Sequence, residues 1–131
     1  MKTKNYKLIQ IILILLLVEK TIQHALIAVA FFIAIPGVGT PDIGTRFDVS
    51  HPVMGVSNAI LGILFGCAIW GISANKQWSK ALILSLGVFD IAAEFIFHGL
   101  FFITFSVIGA AILIILLLKY PKNEMPGVIS L

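Results

Sequence analysis

Long apolar runs separated by short polar stretches dominate the chain. The runs cover about residues 8–35, 53–74 and 81–118. The third run contains 38 residues, which as one α-helix would extend roughly 57 Å at about 1.5 Å per residue, whereas the hydrocarbon core of a bilayer is about 30 Å thick. This run therefore predicts two helices, with a reversal of the chain between Gly99 and Thr104.

The predicted fold is an all-α integral membrane protein, a bundle of four transmembrane helices that forms a single domain over residues 1–131. The predicted spans are about 8–35, 53–74, 81–100 and 103–119. The predicted connections are an external loop 36–52, a cytoplasmic loop 75–80 and a C-terminal tail 120–131. The first span begins like a signal peptide, but Glu19 and Lys20 follow its apolar core where a cleavage site would need small residues, so we expect the span to be retained.

The composition agrees with lipid as the solvent, so the lipid bilayer is the first predicted partner. Hydrophobic residues make up 60% of the chain and charged residues only 11%, whereas soluble domains carry roughly 25% charged residues. The net charge of +3 would also suit nucleic acid, but basic residues that flank apolar runs are explained by membrane topology. No nucleic-acid partner is expected, and the single Cys67 excludes a disulfide framework within the chain.

Basic residues set the predicted orientation, because cytoplasmic loops carry an excess of lysine and arginine. Seven lysines lie before the first span, between the second and third, or after the fourth: Lys2, Lys4, Lys7, Lys76, Lys80, Lys119 and Lys122. The predicted external loop contains only Arg46. Both termini are therefore predicted to be cytoplasmic, in what we expect to be the plasma membrane of a prokaryote. Four aromatic residues fall at the same predicted interface: Tyr6, Trp70, Trp78 and Tyr120.

Titratable residues interrupt the apolar spans at matching depths. The third span carries Asp90, Glu94 and His98 at four-residue intervals, so the three side chains lie on one stripe of the helix. The first two spans add polar residues at comparable heights: Glu19, Lys20, Gln23, His24 and Asn58. A charged residue at a helix centre costs about 2.5 to 3.5 kcal/mol on insertion scales. These residues are therefore expected to face one another or water in the outer half of the bundle, with the aliphatic fourth span as scaffold.

Charge balance leaves three states open for this predicted site. If its three carboxyl groups were all ionised against Lys20 alone, two negative charges would stay uncompensated in a low-dielectric setting. Protonation of both His24 and His98 would restore the balance, as would two neutral carboxyl groups or one bound divalent cation. The first two states describe a proton-titrating site, and the third describes a metal site.

The candidate roles divide these residues into three overlapping sets. The candidate catalytic acids and bases are Asp90, Glu94 and His98. The candidate ligand-binding residues are Glu19, Lys20, His24, Asn58, Asp90 and Glu94. The candidate metal ligands are Glu94, His98, His24 and Asp90. This last set would give a mixed oxygen and nitrogen shell suited to one divalent transition metal ion.

The predicted function is that of a small polytopic membrane protein whose intramembrane carboxylate and histidine site binds a cation or small polar ligand and titrates protons. In one alternative the polar residues are interhelical ties of an accessory subunit, and in another they serve a membrane-embedded acid–base enzyme acting on a lipophilic substrate. So short a chain is also expected to form a homo-oligomer or to join a larger membrane complex. Gly62 and Gly66 form a G-x-x-x-G pattern that predicts close helix packing, but this pattern is not diagnostic of a family.

Overall fold

Four α-helices and no strand make up residues 2–32, 51–98 and 105–120, which the computed structural model describes. The helices are α1 (Lys2–Phe32), α2 (His51–Ser73), α3 (Trp78–His98) and α4 (Phe105–Lys119). Five helical residues are described by their backbone alone: Lys2, Thr3, Lys4, His51 and His98. The all-α class and the four helices expected from the apolar runs are confirmed.

The helices differ from the predicted spans mainly at their ends. α1 already begins at Lys2, and α4 begins at Phe105, two residues after the predicted start of the fourth span. The predicted loop 75–80 is shorter, because α3 begins at Trp78. Three predicted features lie outside the described residues: the reversal between Gly99 and Thr104, residues 36–50 of the external loop, and the tail beyond Tyr120.

The helices form a ring in chain order. α1 packs most extensively against α2, and α3 packs against α4, while contacts of α2 with α3 and of α1 with α4 close the ring. α1 and α3 therefore lie diagonally opposite each other. Gln10 donates to the backbone oxygen of Ile72, and His24 faces Asn58, so α1 and α2 run antiparallel.

A tight turn joins α2 to α3. Asn75 in this turn has a φ of 53°, in the left-handed region that asparagine tolerates better than most residues. Gly71 packs so closely against α3 that an added Cβ would lie 2.8 Å from the Cβ of Ser79 and 2.8 Å from the ring of Trp78. A side chain at position 71 would force the two helices apart, so this contact favours glycine.

One end of the bundle, here called the apolar half, contains the hydrophobic core. Its buried residues come from all four helices: Leu13, Leu17, Phe65, Ala68, Ile72, Ile83, Leu86, Leu113, Leu117 and Tyr120. On each helix they recur at three- or four-residue spacing, so one stripe of each helix faces the axis of the bundle. This core occupies the end of the bundle where α2 turns into α3.

Aromatic and basic side chains surround that end of the apolar half. The rings of Tyr6 and Tyr120 stack with centroids 5.0 Å apart, and the hydroxyl of Tyr120 donates to that of Tyr6 at 3.0 Å. The amine of Lys80 lies 4.9 Å from the ring centroid of Tyr120. Trp70 and Trp78 form a second pair, with centroids 5.9 Å apart. The four aromatic residues expected at one interface therefore lie at one end of the bundle.

The outer surface of the bundle is largely apolar. Large hydrophobic side chains are exposed on every helix, among them Leu26, Ile63 and Leu118. By length and composition, two helices could cross a membrane, α1 over Asn5–Phe32 and α2 over Pro52–Ser73, and α4 is a shorter apolar helix. This surface is consistent with membrane association.

Only one of the two glycines in the G-x-x-x-G pattern lies at a helix contact. An added Cβ at Gly62 would lie 3.7 Å from backbone atoms of Thr21 and Ala25 and from the Cβ of His24. An added Cβ at Gly66 would meet nothing within 4 Å. The backbones of α1 and α2 therefore approach each other near Gly62, beside His24.

Candidate functional site

Buried polar side chains occupy the other end of the bundle, here called the polar half: Lys20, His24, Asn58, Asp90 and Ser106. Lys20 is only 1% exposed, and its Nζ lies 2.6 Å from Oδ2 of the buried Asp90. Because α1 and α3 are diagonal to each other, this ion pair crosses the axis of the bundle. Charges with so little access to water are stable only when they are paired and hydrogen-bonded.

Ser106, in the first turn of α4, completes the surroundings of the Lys20 amine. Lys20 Nζ donates to the backbone oxygen and to the Oγ of Ser106, both at 2.8 Å. The Ser106 hydroxyl in turn donates to Asp90 Oδ2 at 3.2 Å. The three N–H donors of the ammonium thus have three close acceptors, and one amine balances one carboxylate. The ion pair is satisfied within the protein.

His24 lies one turn along α1 from Lys20, on the same face of the helix. Its Nδ1 is 2.8 Å from Oδ1 of Asn58. The amide Nδ2 of Asn58 donates to the backbone oxygen of Met54 at 2.9 Å, so the oxygen of the amide is the atom that faces His24. An oxygen can only accept, so Nδ1 of His24 carries the hydrogen of this bond, and in the neutral imidazole Nε2 keeps its lone pair.

The other ring nitrogen of His24 is buried and has no hydrogen-bond partner among the described residues. This Nε2 lies 3.5 Å from Oδ1 of Asp90, beyond the usual length of a hydrogen bond. The ring stacks on Phe65 with centroids 5.3 Å apart. The imidazole is therefore held by Asn58 at one nitrogen and by Phe65 at one face, while Nε2 stays available.

A cavity of about 270 Å³ borders His24. Its polar wall includes His24, Asn58, Asp90, Glu94 and Ser106. Its apolar wall includes Ile27, Leu61, Phe89, Ala93 and Phe97. Val53 and Ser57 of α2 and Phe89 of α3 also line the cavity and are exposed at the surface. The cavity therefore opens sideways between α2 and α3, the two helices that touch at Gly71 beside their turn.

Comparison with protein-family models, curated proteins and solved structures finds no match for this chain. No relative therefore supplies a substrate, a cofactor or a partner. The candidate function depends on the geometry of the polar half alone.

The structure brings together several of the residues singled out in the sequence. Lys20 pairs with Asp90, and His24 binds Asn58. Glu94 is half-buried and lines the cavity. Lys20 and His24 are four residues apart on α1, and Asp90 and Glu94 are four residues apart on α3. Both pairs contribute to one site.

Two of the predicted site residues are not part of this group. Glu19 is exposed and lies on the outer face of α1, in a shallow groove with Leu15 and Ile22. The side chain of His98 lies outside the description, so its catalytic and metal-binding roles stay predictions. Lys20 and Glu19 are neighbours in sequence, but successive residues of a helix point about 100° apart, so only one of them reaches the axis.

No group of three or more His, Cys, Asp or Glu side chains in the described part of the chain is arranged to hold a metal ion. The geometry of Asp90 gives a reason. Its Oδ2 accepts hydrogen bonds from Lys20 and Ser106, so a cation at this oxygen would compete with the Lys20 ammonium. The predicted metal set depends on His98 and stays a prediction.

The sequence analysis missed Ser106. The fourth span was expected to be scaffold, and Ser106 was not matched in depth with Asp90. In the structure the two side chains meet although α3 continues to His98, about 12 Å beyond Asp90. α4 therefore begins well below the end of α3. A serine in the first turn of an otherwise aliphatic helix was the signal that could have pointed to it.

Proposed function

We propose that the chain is an integral membrane protein built around this four-helix bundle. The core helix of a soluble protein can equal α1 and α2 in length and apolarity, but such a helix is mostly buried. In both α1 and α2 only 28% of the most apolar window is buried inside the protein. Apolar surface on this scale is unfavourable in water and suits the hydrocarbon core of a bilayer.

The proposed orientation puts the α2–α3 turn and both termini in the cytoplasm. Lysines and aromatic pairs gather at this end of the bundle, as in the contact of Lys80 with Tyr120. Cytoplasmic interfaces are rich in lysine, and both interfaces are rich in tyrosine and tryptophan. The polar half then faces the outer leaflet. The prokaryotic plasma membrane stays a prediction.

Within this bilayer, the polar half binds the hydroxyl head group of a lipid-soluble phenol and exchanges a proton with it. The observation that carries this proposal is the buried Nε2 of His24, which has no hydrogen-bond partner among the described residues and belongs to a side chain that lines the cavity. A buried polar atom without a partner is costly, and a ligand hydroxyl would supply the missing hydrogen bond. Asn58 holds the ring so that Nε2 is the accepting atom.

Proton exchange at this position conserves the charge of the site. The ligand O–H bond breaks, its proton forms a bond with Nε2 of His24, and the electron pair stays on the ligand oxygen. The product is an imidazolium 3.5 Å from Asp90 Oδ1 together with an anionic ligand oxygen. The Asp90 carboxylate stabilises the imidazolium and offsets part of the cost of charging a buried ring. Return of the proton restores the starting state, so the step is reversible.

The charges of the polar half favour a neutral ligand over a cation. The Lys20 ammonium and the Asp90 carboxylate already compensate each other at 2.6 Å. A cation bound at Asp90 would compete with the Lys20 ammonium for the same carboxylate oxygen, which is unfavourable in a buried site. A hydroxyl head group adds no charge and can still donate a hydrogen bond to Nε2 of His24.

The size and opening of the cavity suit a head group with an apolar tail. Ligand pockets for whole drug-sized molecules are about 300 to 1,000 Å³, and this cavity is about 270 Å³. Phe89 and Ala93 give an apolar wall beside the polar one. The sideways opening between α2 and α3 would leave the tail in lipid, so the ligand could enter without crossing water.

The test uses the full chain labelled with ¹⁵N-histidine in lipid nanodiscs, with para-octylphenol as the probe. We expect a saturable shift of the His24 Nε2 resonance, assigned by its loss in His24→Gln. Ala93→Phe fills the cavity and should abolish the shift. Ala92→Phe is the matched control, because Ala92 is exposed on the adjacent position of α3 and its replacement should leave the shift intact.

Two results would overturn this proposal. The first is a shift that does not saturate or that persists unchanged in Ala93→Phe. The second is a stoichiometric metal ion in the purified protein that is lost on chelation together with a change at His24, which would favour the cation-binding function.

A further inference from the structure

A continuous apolar stripe runs along the outer face of α1. Its members are exposed and recur at alternating three- and four-residue spacing: Leu8, Ile11, Leu15, Val18, Ile22, Ala25, Val29 and Phe32. This is the seven-residue repeat of a helix face that packs against another helix at a shallow left-handed angle. A lipid-facing helix also exposes apolar residues, so the stripe needs a second feature to identify what covers it.

Glu19 supplies that feature, because it is an exposed carboxyl group at the middle of α1. The span Asn5–Phe32 extends by similar lengths on either side of it. No hydrogen bond or ion pair reaches Glu19 from the residues that the structure describes. It lies in a groove of the stripe with Leu15, Val18, Ile22, Gln23 and Leu26. An acidic side chain facing lipid at mid-membrane is costly and calls for a polar partner.

We propose that a second copy of this chain docks on the edge of the α1 stripe that contains the groove, with Leu15, Glu19 and Ile22 at the contact. The two copies are related by a two-fold axis along the membrane normal, and Glu19 of each copy accepts a hydrogen bond from the Gln23 amide of the other. Two copies of the same sequence insert into the membrane with the same orientation. Their α1 helices are therefore parallel, and their polar groups lie at equal depth. A two-fold interface uses the same surface on both copies, so each carboxyl finds a donor.

The groove itself fits this occupant. Gln23 lies one turn from Glu19 on the same face of α1. Within the described part of the chain its side chain makes one hydrogen bond, a long one of 3.5 Å that Oε1 accepts from Lys20 Nζ. Its amide N–H groups are therefore available to a partner. On α4, Gly109 lies beside this carboxyl, since an added Cβ there would be 3.9 Å from Glu19 Oε2 and 3.6 Å from Lys20 Cε. Polar residues of this kind join transmembrane helices.

Cysteine cross-linking in liposomes tests which face forms the contact. The exposed native Cys67 is first replaced by serine, and single cysteines are then introduced by Leu15→Cys and Ile22→Cys on the stripe. Ile63→Cys on α2 and Ile115→Cys on α4 are controls at equally exposed positions. A membrane-soluble oxidant should form at least tenfold more disulfide-linked dimer at the stripe than at the controls.

Energy transfer between labelled copies, measured as protein is diluted with lipid, tests the role of the carboxyl group. Glu19→Leu should weaken dimerisation by about tenfold, which corresponds to about 1.4 kcal/mol. Glu19→Gln keeps an acceptor and should retain the dimer. Ser85→Leu removes an exposed polar group from α3 and should change nothing. Thermal unfolding of each variant checks that the bundle still folds.

Three results would overturn the dimer proposal: a wild-type chain that stays monomeric in lipid, cross-links that favour Ile63→Cys or Ile115→Cys, or a Glu19→Leu variant that folds and dimerises as well as the wild type. None of them bears on the His24 site, which is tested separately.

Discussion

The apolar half and the polar half are built from the same four helices but are held together differently. In the apolar half, apolar side chains such as Leu17 and Leu113 fill the axis of the bundle. In the polar half, the axis is crossed by the Lys20–Asp90 ion pair, and a cavity lies beside it. Packing tolerates many apolar replacements of similar volume, whereas each buried polar group depends on a particular partner.

The difference between the two halves explains how the four helices adopt one arrangement in lipid. Lipid tails are as apolar as leucine, so apolar contact alone gives little preference for one helix arrangement over another. The polar half supplies that preference, because Lys20 reaches across the ring to Asp90 and sideways to Ser106. Those contacts fix the rotation of α1, α3 and α4 about their own axes. The apolar half then packs in the register that the polar half sets.

The largest expected effect comes from removing one partner of the central ion pair. Asp90→Leu leaves the Lys20 ammonium buried without its counter-ion, so we expect a loss of about 3 to 5 kcal/mol in the free energy of unfolding. Reversible unfolding in mixed micelles, followed by circular dichroism, would measure the loss. Lys20→Met should destabilise the bundle by a similar amount, because it leaves the Asp90 carboxylate uncompensated.

The double variant Lys20→Met, Asp90→Leu makes this prediction sharper. Replacing both partners by apolar residues of similar size removes both buried charges, so most of the stability should return. A double variant as unstable as either single variant would show that the destabilisation arises from lost packing. In that case the two halves would not differ in the way described above.

A smaller effect is expected from the apolar half. Leu17 is fully buried, and Leu17→Ala should lower the free energy of unfolding by about 1 to 2 kcal/mol. Buried leucines in a water-soluble protein lose about 2.7 to 5 kcal/mol on replacement by alanine, because the variant loses both the transfer of the side chain out of water and its packing. In lipid only the packing is lost, so the expected effect is smaller. The measurement is the same micelle unfolding.

Leu118→Ala is the matched control for that experiment. Leu118 of α4 is 71% exposed and lies outside the α1 stripe, so its replacement should change the stability by less than about 0.5 kcal/mol. Equal losses at the two positions would mean that the inward and outward faces of the helices are not distinguished in the lipid environment.

The hydrophobic pattern predicted the helices well, and depth arguments put several of the polar residues at the same level of the bundle. The lengths of the apolar runs gave four helices, and a rise of about 1.5 Å per residue matched Lys20 with Asp90. The pattern could not decide which of the adjacent Glu19 and Lys20 faces inward, because the apolar residues surround α1 almost completely. It also could not give the level at which α4 begins, on which the contact of Ser106 depends.

Among the buried positions, the smallest expected effect on stability comes from Asn58, but its effect on the site is specific. Asn58→Leu removes one interhelical hydrogen bond, which in membranes is worth about 0.6 kcal/mol on average. The bond also fixes the hydrogen of His24 on Nδ1. Without it, ¹⁵N spectra of the labelled protein should show neutral His24 as a mixture of both ring tautomers, whereas the wild type shows the Nδ1–H form.

Thr21→Val removes a hydroxyl bond within α1 and should leave the tautomer unchanged. If Asn58→Leu also left it unchanged, another group would hold the imidazole, and the orientation of Nε2 towards the cavity would need a different cause.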